Sequence, residues 1–315
     1  MQEQKKRWTL ILLAVMLAAA VLAGISGNWK QDVAAGNKNY VAVIRIDGPI
    51  YGGEGSDSVW ESASGTASEQ LMKEFRQARE DPHARAVLVR INSPGGSSAA
   101  TQEVAEEMDR IRTAGKPIVI SMGDTCASAG YWLASKGDYI FANPSTITGS
   151  IGVYMDYTNV EDLMDKLGIK NDKIKSGAHK DILSMYRPMT AEERAMLQAM
   201  VDDIYRQFVR VVADGRHMDE QAVMKLADGR VFTGRQAQEL GLVDAMGNYY
   251  DALAYAGGRA GMEGPNVPVK VYGQKAGWRG LLSSEAQDAF ADSLAGHLAD
   301  RISDMASQAP SAVVK

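Results

Sequence analysis

Short apolar runs rich in β-branched residues recur along the first half of the chain, and segments of helical spacing separate them. The runs lie at residues 41–46, 86–91, 117–122 and 139–142. Each has the composition and length of a buried strand. Helical spacing is found between the first three, over residues 68–80 and 98–114. Since strands alternating with helices of this length are joined by crossovers, the pattern predicts parallel βαβ units in an α/β fold.

Composition excludes several classes of function. The chain has 315 residues, enough for one large domain or two small ones, and a formal net charge of −5 with interspersed signs. This distribution lacks the basic patch of a nucleic-acid-binding protein, so we expect no nucleic-acid partner. The single cysteine, Cys126, has no partner for an internal disulfide.

The N-terminal region predicts a membrane anchor. Residues 8–25 carry no charge and directly follow the basic residues 5–7. As a helix this run would span roughly 27 Å, close to the ~30 Å core of a bilayer. Positive charge before it predicts that residues 1–7 are cytoplasmic and that the chain after the run lies outside. A cleaved signal peptide is the alternative, because residues 18–23 offer small residues at cleavage spacing.

The remaining boundaries follow from changes of composition. Residues 26–39 are polar and predict a linker, and the main folded domain is predicted over residues 40–262. Within that domain Thr190 and Glu193 have capping-box spacing, which predicts the start of a long helix. Residues 263–315 are Gly-rich at first and weakly patterned later, and they are predicted to form a C-terminal extension.

Ser128 lies among small residues where a predicted strand ends and a helix begins. The apolar run 117–122 precedes it, and residues 131–134 can continue as a packed helix. The N–H groups in the first turn of a helix lack intrahelical partners and can bind a developing oxyanion. Ser128 is therefore either a nucleophile or a residue that merely caps the helix.

A second turn, residues 92–96, has the sequence Asn-Ser-Pro-Gly-Gly and lies between a predicted strand and a helix. Its two glycines let the backbone approach a ligand closely. The turn lacks the lysine of a P-loop and the third glycine of a dinucleotide-binding fingerprint. It is either an ordinary strand-to-helix turn or half of an oxyanion hole, with the N–H of Ala129 as the other half.

A serine nucleophile needs a base, because an alkoxide is negligible at neutral pH. Three of the four histidines lie in turns or weakly patterned sequence: His83, His217 and His297. His179 and Lys180 are the candidates, and they would face opposite sides if their segment were extended. Burial without a carboxylate partner can lower the pKa of a lysine enough to make it a usable base. Residue types alone leave both candidates open.

Four segments together resemble the signal peptide peptidase family SppA. They are residues 92–96, 127–131, 144–152 and 175–181, and the similarity continues through 227–232 to 241–244. The resemblance covers about residues 40–255. It implies that Ser128 is the nucleophile, Lys180 the general base and Ser150 the residue that orients the lysine. The N–H groups of Gly95 and Ala129 are implied to form the oxyanion hole.

Two positions depart from the pattern of the family. Cys126 stands where the family often has alanine, and Ala129 where it often has glycine. Cys126 is a rival nucleophile by chemistry. Two positions from Ser128 it should point elsewhere, so we interpret it as a small packed residue. His179 is interpreted as a structural residue of the lysine loop.

The resemblance also implies a Clp protease/crotonase-like spiral of ββα units and an N-terminal transmembrane helix. It implies a membrane-anchored serine endopeptidase that needs no metal or other cofactor and degrades remnant signal peptides outside the cytoplasm. Its partners would be hydrophobic peptides, the lipid bilayer through residues 8–25, and further copies of itself. Those copies would form a closed ring, by resemblance an octamer, with Ser128 and Lys180 meeting across subunits. The alternatives are a related peptidase acting on other membrane or misfolded proteins, a crotonase-type acyl-CoA enzyme and a non-catalytic scaffold.

Overall fold

A computed structural model describes residues 39–54, 65–262, 264 and 266–273. The strands in this part of the chain are β1 (Tyr40–Asp47), β2 (Ile50–Tyr51), β3 (Thr66–Ala67), β4 (Ala84–Ser93), β5 (Ile118–Ala127), β6 (Tyr139–Ala142), β7 (Ile147–Gly149), β8 (Val231–Thr233), β9 (Ala245–Met246) and β10 (Val269–Val271). The helices are α1 (Ser68–Glu80), α2 (Ser98–Thr113), α3 (Ala129–Ala134), α4 (Glu161–Lys166), α5 (Ala191–Arg216), α6 (Glu220–Met224), α7 (Gly234–Glu239) and α8 (Tyr249–Arg259).

One sheet of eight strands forms the centre of the described structure. Its main path is β10-β1-β4-β5-β6-β9, while β7 pairs with the end of β5 and β8 pairs with β7. Every pairing in the sheet is parallel except that of β7 with β8. Helices connect the central strands, as parallel pairing requires. The predicted α/β class with a parallel sheet is confirmed.

Both faces of the sheet are covered, which explains why its strands are continuous apolar runs. Successive side chains of a strand point to opposite faces. Ile44 of β1 therefore belongs to the cluster on one face, with Leu71 of α1, and Val43 belongs to the cluster on the other, with Ala252 of α8. All four are at most 1% exposed. The two layers of helix fix the central strands and with them the loops at their carboxyl ends.

Strand β5 is longer than the sequence predicted, and this affects the candidate site. The apolar run ends at Met122, but β5 continues to Ala127, immediately before Ser128. Its polar segment remains in the sheet because it pairs with β7, and the side chain of Asn92 also accepts the N–H of Thr125 at 3.1 Å. The register shifts at this point and β4 pairs again at Cys126.

Helix α1 begins at Ser68, as the helical spacing over residues 68–80 predicts. Its N-cap is Ala67, whose side chain makes no capping bond, and Ser68 is buried as the first residue of the helix. A second boundary differs from prediction. Strand β10 pairs in parallel with β1, so the sheet continues past residue 262, the predicted end of the folded domain.

Helix α5 begins with the predicted capping box between Thr190 and Glu193. Its second half is buried through Phe208, Val209 and Val212, whereas Met200 in its first half is 54% exposed. Before α5, residues 153–190 include a single buried residue, Ser184. We call residues 153–190 the arm. The arm has almost no hydrophobic core of its own, in contrast to the sheet.

Several predictions fall outside the described residues. These are the anchor at residues 8–25, most of the linker at 26–39, and all but the start of the extension at 263–315. Within the described ranges, no helix combines the length and the apolar character needed to cross a bilayer.

Candidate active site

Ser128 occupies a strained turn between β5 and α3. Its φ of 53° and ψ of −122° lie outside the regions that residues with a side chain prefer. The N–H of Ser128 donates to Gly149 at 2.9 Å, and its carbonyl accepts the N–H of Trp132 at 2.9 Å. Every residue of α3 is buried. The surrounding core therefore imposes the strained conformation, as is common at functional turns.

The hydroxyl of Ser128 does not cap α3. Ser128 is at the N-cap position, but its side chain makes no capping hydrogen bond. An N-cap residue normally has extended backbone geometry, which directs its oxygen toward the next N–H groups. The positive φ of Ser128 removes that geometry. The structure therefore does not support the interpretation of Ser128 as a simple cap.

Gly95 lies directly against Ser128. A Cβ built on Gly95 would be 2.8 Å from the Cβ of Ser128, 3.1 Å from its Oγ and 3.2 Å from the backbone nitrogen of Ala129. The φ of Gly95 is +119°. Both the space and the backbone conformation therefore require glycine at this position. The structure brings Gly95, Ser128 and Ala129 together.

Of the two predicted oxyanion donors, only one is unpaired in the described part of the chain. The N–H of Ala129 has no hydrogen-bond partner there, as expected in the first turn of a helix. The N–H of Gly95 donates to the buried hydroxyl of Ser93 at 3.2 Å. For Gly95 to act as a donor, its N–H must exchange the hydroxyl of Ser93 for a substrate oxygen. Ser93 was not identified from the sequence.

Ser150 directly follows β7, the strand whose last residue accepts a hydrogen bond from the Ser128 turn. Gly149, at the end of β7, accepts the N–H of Ser128, and Ser150 is the next residue. Ser150 has a φ of 50°, and its N–H donates to Arg230 at 2.8 Å. Ser150 is therefore fixed close to the turn in the chain fold. Within the described residues, no hydrogen bond joins Ser150 to Lys180.

Lys180 lies in a turn on the arm. The sequence had also allowed an extended segment here. Residues 176–183 form successive turns, and the N–H of Lys180 donates to Gly177 at 3.2 Å. Lys180 is exposed. No hydrogen bond between its amine and Ser128 occurs in the part of the chain that the structure describes. A single chain therefore assembles Ser128 with Gly95 and Ala129, and no hydrogen bond in its described part joins the predicted base to them.

His179 is directed toward the start of α5. Its Nε2 is 3.7 Å from Glu192 and its Nδ1 is 3.9 Å from Glu193. These distances place the imidazole beside two carboxylates in the first turn of α5. The interpretation of His179 as a structural residue fits this position, and His297 lies outside the described residues.

Cys126 is packed beneath the turn. It is fully buried, and its Sγ lies 3.4 Å from the carbonyl of Gly130. Burial raises the pKa of the Cys126 thiol far above its ordinary value. A thiol that stays protonated and out of solvent is a poor nucleophile. The interpretation of Cys126 as a small packed residue agrees with this environment.

The cluster of ion pairs around Arg187 was not predicted from the sequence. Arg187 forms hydrogen bonds with the carboxylates of Asp181 and Glu193. Asp181 directly follows Lys180 in the sequence. The spacing of charges in this segment could have suggested ion pairs, but not which ones form.

Known proteins provide an independent comparison. The model of peptidase family S49 matches residues 110–263. Protease 4 of Salmonella typhi is 38% identical over 216 residues, which are 69% of this chain and 34% of that protein. A protein of Synechocystis sp., named as a putative protease, is 43% identical over 66% of this chain and 74% of its own length. A protein of Enterococcus faecium, named as a putative signal peptide peptidase SppA, is 42% identical over 59% of this chain and 54% of that protein.

These matches define the class. The chain belongs to peptidase family S49. The predicted resemblance, to serine peptidases of the SppA type, is confirmed at the level of the family. The aligned segment spans less than two thirds of the Salmonella and Enterococcus proteins.

Proposed function

We propose that this chain is a membrane-anchored serine endopeptidase in which Ser128 and Lys180 form the catalytic pair. The observation that carries the proposal is the strained turn at Ser128. Its hydroxyl is not used as a cap and lies against Gly95, beside the unpaired N–H of Ala129. Acyl transfer by a serine requires a nucleophile beside an oxyanion donor, and the base that it also requires is assigned to Lys180.

The fold that we propose is the spiral of ββα units shared by Clp proteases and crotonases. The parallel pairing of β1, β4 and β5, with α1 and α2 as crossovers, is consistent with such units. A crotonase-type acyl-CoA enzyme is disfavoured by membership of a peptidase family.

The proposed reaction begins when the hydroxyl of Ser128 attacks the scissile carbonyl and its proton passes to the neutral amine of Lys180. The N–H of Ala129 binds the oxyanion, together with that of Gly95 once it leaves Ser93. Lys180 then gives its proton to the leaving amine, and the peptide bond breaks to give an acyl ester on Ser128. Water, deprotonated by Lys180, hydrolyses this ester. Removal of one oxyanion donor costs about 3 kcal/mol in the barrier.

We propose that Lys180 acts on Ser128 of a neighbouring copy in a closed homo-oligomeric ring, by resemblance an octamer. A lysine base must be shielded from water to be neutral, and Lys180 is exposed in the single chain. Apolar side chains of the arm and of α5 would also be covered by a neighbour. They include Leu163, Leu167, Ile169, Met196 and Met200, each at least 44% exposed.

Mixing two inactive variants tests this arrangement. Ser128→Ala chains and Lys180→Ala chains are each expected to be inactive and to regain activity after co-assembly. The recovery arises because some interfaces then pair an intact Ser128 with an intact Lys180. Chains that carry both substitutions, mixed with wild type in the same proportion, control for dilution. No recovery, with mixed oligomers demonstrated by mass, would place both residues in one chain.

The proposed substrates are remnant signal peptides, because the name of the Enterococcus relative is putative signal peptide peptidase. The full-length protein in detergent is expected to cut a defined signal peptide and to be labelled at Ser128 by a serine-directed phosphonate. Cleavage of other membrane or misfolded proteins at equal rates would favour the broader peptidase. Absence of labelling would favour a non-catalytic scaffold.

The anchor at residues 8–25 and a catalytic domain outside the cytoplasm complete the proposal. Uncharged composition and the preceding positive charges support this topology. Retention in membranes after alkaline extraction is the expected result. Protease digestion from the outer side should remove the domain. Release by alkali of a chain lacking the first residues would instead indicate a cleaved signal peptide.

A further inference from the structure

The guanidinium of Arg187 connects the Lys180 turn to the start of α5. Its Nε donates to Asp181 Oδ2 at 3.0 Å, and one Nη donates to Asp181 Oδ1 at 2.9 Å. That same nitrogen, Nη2, also donates to Glu193 Oε1 at 2.6 Å, and Nη1 donates to Glu193 Oε2 at 2.8 Å. Planar, two-pronged pairing of this kind fixes geometry as well as charge. Arg187 therefore fixes the residue that follows Lys180 to the first turn of a helix.

Lys175 closes the same turn from the other side. Its amine donates to Asp181 Oδ1 at 2.7 Å and to the carbonyl of Ala178 at 2.8 Å. Both oxygens of Asp181 are thus engaged, and its side chain is only 11% exposed. Because the arm has almost no apolar core, these polar contacts are what hold the turn.

The charges of the cluster follow from these contacts. Hydrogen bonds from Arg187, and then from Lys175, hold the pKa of Asp181 well below its ordinary value. The Arg187 hydrogen bonds, followed by the backbone N–H of Thr190, lower the pKa of Glu193 to about 2. The charged and titratable groups on and around the turn are Lys173, Lys175, His179, Asp181, Arg187, Glu192 and Glu193.

We propose that Arg187 is a positioning residue for Lys180: it fixes the turn and, with Lys175, keeps the Asp181 carboxylate from pairing with the Lys180 amine. The inference rests on the proposed role of Lys180 as the base. A carboxylate beside an amine favours the charged form of the amine and so removes a base at neutral pH. Asp181 is the next residue to Lys180, and both its oxygens are already taken by Arg187 and Lys175.

The test compares variants of the full-length protein in kcat, KM and the pH dependence of kcat/KM on a defined signal peptide. Arg187→Gln is expected to lower kcat on the order of 10- to 100-fold while KM changes little, because the base is misplaced. It should also move the acid limb of the profile up by about one pH unit, because Asp181 is released. Asp181→Asn added to Arg187→Gln should return the acid limb to its original position.

Two further variants keep the result interpretable. Arg194→Gln changes an exposed arginine in the first turn of α5, beside Glu193, and should behave as wild type. Arg187→Lys keeps a positive charge but loses the fork, so an intermediate profile is expected; it carries the test if the glutamine variant does not fold. Loss of activity with an unmoved acid limb, or a shift that persists in the double variant, would overturn the inference.

Lys180→Ala separates this inference from the proposed function. If Lys180→Ala retains turnover, the proposed base is wrong and the role of Arg187 is overturned with it. If Lys180→Ala is inactive while Arg187→Gln matches wild type in rate and profile, the base is retained and only the positioning role is overturned.

Discussion

The turn that carries Ser128 and the turn that carries Lys180 are held by opposite means. Ser128 follows β5, a strand inside the sheet, and precedes a helix whose every residue is buried. Lys180 lies on the arm, where its turn is held by the hydrogen bonds and ion pairs that Arg187 and Lys175 make with Asp181. The first turn is imposed by close packing, and the second by charge.

This difference has a consequence for how a site could be controlled. A packed core does not deform continuously, so the strained geometry of Ser128 persists in the isolated chain. Ion pairs near the surface are weaker and screened by salt, so the arm can adjust when a partner covers it. In the proposed enzyme, Ser128 has its final geometry in the single chain, whereas Lys180 can act as the base only after the oligomer assembles.

The largest effect is expected from removal of the Ser128 hydroxyl. Ser128→Ala is expected to lower kcat on the order of 10⁴-fold or more, because no other group replaces the nucleophile. Stability should not fall, because the hydroxyl caps nothing. Peptide hydrolysis and thermal unfolding measure the two effects.

Ser97 is the matched control, because its side chain does cap a helix, accepting the N–H of Ala100 at 3.4 Å. Ser97→Ala should cost about 1 kcal/mol of stability and leave turnover intact. An active Ser128→Ala variant would exclude Ser128 as the nucleophile.

A methyl group at Gly95 should have the next largest effect. Gly95→Ala would place a Cβ 2.8 Å from that of Ser128, at a φ of +119°. We expect a loss of kcat of roughly 100- to 1,000-fold, as for removal of an oxyanion donor. Steady-state kinetics on the purified variant measure it.

Gly115→Ala isolates the contribution of strain in that experiment. Gly115 also has a positive φ, of +79°, but nothing lies within 4 Å of the added Cβ. This variant should lose about 1 kcal/mol of stability and no activity. Equal kinetic losses in the two variants would show that proximity to Ser128 is not the cause.

The same contrast explains what the sequence could reveal. The central strands were predictable because strands buried on both faces are apolar throughout, as in residues 86–91. The extension of β5 to Ala127 was not predictable, because its polar end is held by pairing with β7 and by a contact from Asn92. Ser128 and Gly95 could be identified from the sequence because each lies in a short motif. The roles of Ser93 and Arg187 depend on which groups the folded chain brings together, and no periodicity records that.

Acid should open the arm before the sheet. The folded-state pKa of Glu193 is about 2, below its ordinary value of 4.5, and that of Asp181 is also lowered. Their contribution to stability is therefore fully present above the ordinary value and is lost as the pH falls toward 2. Hydrogen exchange at pH 6 and pH 3 should show lost protection near Lys180 while β4 and β5 stay protected. Simultaneous loss in both regions would contradict the separation of the two turns.

The smallest effect is expected at Cys126, which is packed beneath Ser128 but takes no part in the proposed chemistry. Cys126→Ala should leave kcat within about twofold and cost on the order of 1 kcal/mol, because a buried free cysteine behaves as a small apolar residue. The native protein should not react with a thiol reagent until it unfolds, since the Sγ is fully buried and burial raises the pKa of the thiol. A large loss of turnover with unchanged stability would make Cys126 a participant. The resemblance to the family would then have assigned the wrong role to a residue of the Ser128 turn, while the assignment on the arm would be unaffected.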